Sequence, residues 1–129
     1  LYRAFVLTGG WGSGGGQCKK AGIDPKTFSP ATLADATFPP TMILVGNEDP
    51  VSPPASNQAF MQRMKAAGRP VELFTYAGKE HKLFERKTDD PHFQSYLLHS
   101  SRFFQDLGWI GKRPLPPVPE TQHTYLKVP

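Results

Sequence analysis

The chain of 129 residues is long enough to bury a core and short enough to form one domain. Hydrophobic residues make up 38% and charged residues 20%, and no apolar run approaches the roughly 18 residues of a membrane span, so a spanning role is set aside. The net charge of +4 comes from dispersed Lys and Arg, interleaved with glutamates in the densest stretch, "GKEHKLFERK", and reads as solvated surface rather than a nucleic-acid face.

The elements follow in chain order. "RAFVL" (3–7) is a short apolar run of strand character, closed by the glycine-rich "TGGWGSGGG", which suits neither a helix nor a strand interior. Cys18, the one cysteine, has no internal partner and leaves the redox compartment open. A helical turn is expected at 30–34, and Pro39-Pro40 stops it. "TMILV" (41–45) is a continuous apolar run without alternation, the pattern of a parallel strand covered on both faces. The loop "GNEDPVSPP" leads into a helix over "ASNQAFMQRMKAAG". Pro53 and Pro54 suit its first turn, Phe60, Met64 and Ala67 form its apolar stripe, and Gly68 is its C′ residue. "VELFTYA" (71–77) is the next strand, which completes a βαβ unit. A last helix is expected over "DDPHFQSYLLHSSRFFQDLG", capped by Asp89 or Asp90. Its broad apolar face comprises Phe93, Tyr96, Leu97, Phe103, Phe104 and Leu107. Residues 111–129 carry five prolines and no periodicity, and are expected to be an extended arm that wraps the domain or a partner or is disordered.

In open α/β sheets the chemistry collects on loops beyond the carboxyl ends of the strands. Asp49 lies four residues past Val45, and His81 four past Ala77. If the two strands are parallel neighbours, both loops leave the same edge and the side chains can meet. A carboxylate bonded to one imidazole nitrogen fixes the tautomer and frees the other nitrogen to take a proton. Spacing alone also allows a plainer reading, with Asp49 as a turn former and His81 as a surface group.

Residues 28–110 resemble the C-terminal part of an α/β-hydrolase, most closely its esterase and acylaminoacyl-peptidase-like members. The shared features are an apolar strand, then Gly46, Asp49 and Ser52-Pro53, then a helix ending at Ala67-Gly68. Val71-Glu72-Leu73 and the Gly78…His81 loop follow, with Ser29-Pro30 before them and "FFQDLGW" after them. The resemblance implies an α/β fold of about three parallel strands with flanking helices. It makes Asp49 the acid and His81 the base of a Ser-His-Asp triad. After the histidine the family usually has Gly and an aromatic, where this chain has Lys82-Leu83-Phe84.

The nucleophile of this family precedes the acid, on a G-x-S-x-G elbow, and no such motif is present. Ser13 is the nearest candidate, but Trp11 stands where the elbow needs a small residue. Residues 1–110 therefore read as a partial hydrolase domain without its nucleophile region, and upstream sequence is expected. The expected function is carboxylic-ester hydrolysis through an acyl-enzyme, with a small-molecule ester as substrate. The alternatives are a serine peptidase of the same fold and a non-catalytic assembly or binding module. The partial sheet implies association with a missing N-terminal half or a second copy. No cofactor is called for, and Asp89, Asp90, His92 and His99 are too sparse to be read as a metal site.

Overall fold

The run Thr41–Val45 alternates in space although not in residue type. Ile43 and Val45 pack with Val71, Leu73, Phe60, Met61 and Met64 on one side of a sheet. Met42 and Leu44 pack with Phe74, Tyr76, Leu83 and Phe103 on the other. A strand buried on both faces has no polar positions to spare, which is why the sequence reads as one unbroken apolar run. The computed structural model describes residues 4–8, 18, 20–24, 27, 29–84, 87–121 and 123–128. Within these the elements are β1 (Phe5–Thr8), α1 (Pro30–Leu33), β2 (Thr41–Gly46), α2 (Pro54–Ala66), β3 (Val71–Tyr76), α3 (Pro91–Asp106) and β4 (His123–Val128). The sheet order is β1-β2-β3-β4. The first three strands are parallel and β4 is antiparallel to β3.

Both long helices end as expected. Gly68 (φ +66°) and Gly108 (φ +72°) adopt the left-handed conformation. At the end of α2 the N–H of Gly68 donates to Lys65 and that of Arg69 to Met64; at the end of α3 Gly108 donates to Gln105 and Trp109 to Phe104. These paired bonds are the Schellman arrangement, which satisfies carbonyls that the helix leaves open. Asp90, not Asp89, caps α3, its carboxylate accepting from the N–H groups of His92 and Phe93.

One expectation differs from the structure. Leu97, expected on the apolar face of α3, is 47% exposed. The face toward the sheet carries the buried Ser95 and Ser100 instead, and the Ser95 hydroxyl lies 3.0 Å from the Tyr76 hydroxyl. Small residues bring the helix close to the strand, and the large aromatics Phe93 and Tyr96 turn sideways onto Phe84. The course of the arm, left open by the sequence, ends in β4. The end of the proline-rich arm returns to the domain and pairs with β3, His123 opposite Tyr76 and Val128 opposite Val71. It covers an edge whose N–H and C=O groups would otherwise be open to another chain.

His123 and β4 enclose a second histidine. The His99 ring lies against Phe74 at 3.9 Å between centroids and 5.5 Å from His123. Burial first, then the facing His123 and Arg102, push His99 down to about 4.

Two outcomes follow. Phe60 is fully buried between the sheet and Phe38, so Phe60→Ala lowers unfolding free energy by about 3–5 kcal/mol, read from denaturant midpoints at constant slope. His99 binds its proton more weakly folded than unfolded, where its ordinary value is 6.5. The stability held by the neutral ring is complete above that value and falls away as pH drops toward 4. His99→Phe flattens the stability–pH curve across that window; an unchanged slope shows that the ring does not titrate with folding.

Candidate active site

β2 and β3 end level with one another, Gly46 opposite Tyr76. Both chains therefore leave the sheet at the same edge. The turn after β2 is organised by Asp49 itself. Its Oδ1 accepts from the N–H groups of Val51 and Ser52, each at 2.8 Å, which bends the chain toward α2. Below it the buried Asn57 donates to the Ser52 and Pro53 carbonyls, at 3.1 and 3.2 Å. This leaves Oδ2, which lies 2.9 Å from His81 Nδ1. Asp49 is thus a turn former and a histidine partner at once, and the two readings of this residue describe two oxygens of one carboxylate.

Burial is the largest influence on Asp49 and pushes its proton affinity up. The Ser52 N–H, the His81 side chain and the Val51 N–H outweigh it, and the carboxyl is held below its ordinary value of 3.8. Asp49 is then ionised at neutral pH and only accepts. The shared proton belongs to His81 Nδ1, so the neutral ring carries its lone pair on Nε2. The carboxylate side chain is fully buried and the imidazole is 52% exposed. The arrangement can hold a base in one tautomer and present it outward.

The histidine loop is held at both ends. Gly78 begins it in the left-handed conformation, φ +65°. The Asn47 side-chain oxygen accepts from the Gly78 N–H at 2.8 Å, the Asn47 N–H donates to Tyr76 and the Glu48 N–H donates to Lys79. A methyl group on Gly46 would overlap the backbone carbonyls of Lys79 and Glu80, so only glycine allows this crossing. Beyond His81, Leu83 is buried beneath α3 with Phe74 and Tyr76. In the Lys82-Leu83-Phe84 departure Leu83 is thus an apolar anchor at the place of the pattern's aromatic, and Lys82 stands at the place of its glycine. Neither the Asn47 contact nor the Leu83 anchor is read from the sequence; the signals available were a Gly-Asn pair directly after a strand and an apolar residue two positions past a histidine.

The other described candidates do not join this pair. Ser13 lies outside the described residues. Asp90 is spent on the α3 cap and on His92 Nδ1 at 3.6 Å. His99 sits in the aromatic cluster under β4. Among the described residues no three His, Cys, Asp or Glu side chains converge as metal ligands. A groove of about 760 Å³ runs along α3 and the arm, lined by His99, Arg102, Glu120, Thr121 and His123 among others, and neither Asp49 nor His81 contributes to it.

Comparison with known proteins agrees with the fold. The model of a family described as alpha/beta hydrolase fold matches residues 16–85. No curated protein matches the chain. Among solved structures, the apo form of Thermogutta terrifontis esterase 2 is 25% identical with a TM-score of 0.72, covering 88% of this chain and 45% of that one. A butyrate-bound structure described as a novel thermophilic esterase from Thermogutta terrifontis is 28% identical with a TM-score of 0.65, covering 75% of this chain and 35% of that one. The chain spans less than half the length of these structures. Three parallel strands, flanking helices, the matched family model and the esterase neighbours lead to one statement: the chain belongs to the α/β-hydrolase fold family.

Proposed function

We propose that this chain supplies the acid and base of a serine-type carboxylic-ester hydrolase, with Asp49 orienting His81. The observation that carries the proposal is the 2.9 Å contact between Asp49 Oδ2 and His81 Nδ1, a buried carboxylate against a half-exposed imidazole. The esterase neighbours support the substrate class. The nucleophile comes from a G-x-S-x-G elbow that this sequence does not contain.

The roles follow from the proton positions. His81 Nε2 takes the serine proton as the hydroxyl oxygen attacks the ester carbonyl, and Asp49 stabilises the imidazolium that forms. That imidazolium returns its proton to the departing alcohol, which leaves an acyl-enzyme. Water then gives a proton to Nε2 and attacks the acyl carbon. His81 passes this proton back to the serine oxygen as the carboxylic acid departs. Two groups on this chain thus handle every proton transfer.

In the protein that carries the nucleophile, His81→Ala lowers turnover of p-nitrophenyl butyrate by on the order of 10³-fold or more. Unchanged turnover sinks the assignment. The 129-residue chain by itself takes up no fluorophosphonate adduct, as read by intact mass; an adduct on Ser13 would place the nucleophile here and overturn the need for an outside elbow.

The acid limb checks Asp49 separately. Its carboxyl is held below the ordinary 3.8, so the stability it contributes is present above that value and lost as pH falls below it. Asp49→Asn makes unfolding free energy less dependent on pH in that acid range, measured by denaturant titration. A slope equal to that of the unaltered protein would show that the carboxylate gains nothing on folding.

A further inference from the structure

His81 is 52% exposed. A half-exposed imidazole has few packing neighbours to hold its rotamer. Its direction is then set by two things, the Asp49 carboxylate and the path of its own backbone. That path is determined upstream of the histidine. The N–H of Gly78 points into the Asn47 side-chain oxygen at 2.8 Å. Backbone bonds from Asn47 to Tyr76 and from Glu48 to Lys79 lie on either side, at 2.9 and 3.0 Å. The crossing needs Gly46, whose missing side chain leaves room for the Lys79 and Glu80 carbonyls.

We infer that Gly46 and Asn47 form a clasp that positions His81 against Asp49. They are positioning residues for the proton transfers assigned above, on which this inference rests. Asn47 is the one side chain in the clasp. The other two bonds are made by backbone and persist in any sequence that keeps the crossing. Removing the Asn47 oxygen frees the N–H of Gly78 to water. The left-handed turn at Gly78 then loses its tether to β2 and the loop carrying His81 widens its range. Asp49 is unaffected by this, because its own turn is tied by Val51 and Ser52. The consequence is therefore specific: the carboxylate stays in place while the imidazole loses its constant distance from it. Asp at position 47 retains an acceptor oxygen with the same reach, whereas Ala does not.

The test uses variants of the 129-residue chain and, in parallel, of the protein that carries the nucleophile. In the chain, the far-downfield proton resonance of His81 Nδ1–H, assigned by its loss in Asp49→Asn, reports the contact without any need for turnover. Asn47→Ala is expected to melt close to the unaltered protein, because the hydrogen bond it removes is exposed and the freed N–H turns to water. Its Nδ1–H resonance broadens or disappears. In the nucleophile-bearing protein kcat falls about 10-fold while KM stays within about two-fold, the pattern of a misplaced group rather than lost substrate binding. Asn47→Asp restores both the resonance and kcat.

An Asn47→Ala chain that keeps the resonance and kcat overturns the inference. Loss of both that Asn47→Asp fails to restore also overturns it, because the acceptor oxygen would then not be what matters. Gly46→Ala is the harsher variant; if it folds with the resonance intact, the crossing is not required and the clasp falls. Loss of the resonance in Asn47→Ala, with turnover unchanged in both Asn47→Ala and His81→Ala, supports the clasp and removes the hydrolase roles instead.

Discussion

Two parallel strands that end level must release their chains on the same side of the sheet. In this molecule that constraint falls on β2 and β3, with Gly46 opposite Tyr76. The loops that follow cannot avoid one another, and backbone geometry decides how they meet. A glycine at the end of β2 lets the next loop cross directly over it, carbonyl against Cα. Any larger residue would hold the loops apart, and with them Asp49 and His81.

The same edge separates two electrostatic environments within a few ångströms. Asp49 lies beneath the surface, where an unpaired carboxylate would be costly. Two backbone N–H groups and an imidazole meet that cost, so the group stays charged. His81 stands outside, held through one nitrogen. A buried charge thus controls the orientation of an exposed base. The sheet makes this possible, because Asn57 and the first turn of α2 support the acid loop from below.

The opposite side of β3 is closed by the chain's own tail. Proline-rich residues leave α3 under restraint, Gln105 donating to the Arg113 carbonyl at 3.0 Å. They return the last residues to the β3 edge. His123 then lies over Tyr76, Phe74 and His99. The tail therefore adds a fourth strand and completes the aromatic layer beneath α3. Serines at 95 and 100 are the price of that closeness, since bulkier residues would lift the helix from the sheet.

What was legible in the sequence was whatever repeats or punctuates. The unbroken run at 41–45 announced a strand covered on both faces. The proline and glycine positions marked the ends of α2 and α3 closely. The residues Asp49 and His81 were legible as candidates, and resemblance gave them their roles. Leu97 was misread, because amphipathic pattern does not show which side of a helix the sheet takes, and the course of the arm was left open. Nor does a proline-rich segment show where the chain goes after Pro119. The amino-acid order by itself determined the three parallel strands, the helix ends and the identity of the two titratable groups, all local consequences of backbone preference and apolar period. Only the tertiary structure decided that Oδ2 of Asp49 faces Nδ1 of His81, that Asn47 reaches Gly78, and that the tail becomes a strand. Each of these joins residues some thirty to sixty positions apart, and such distances are set by packing rather than by neighbours in the chain.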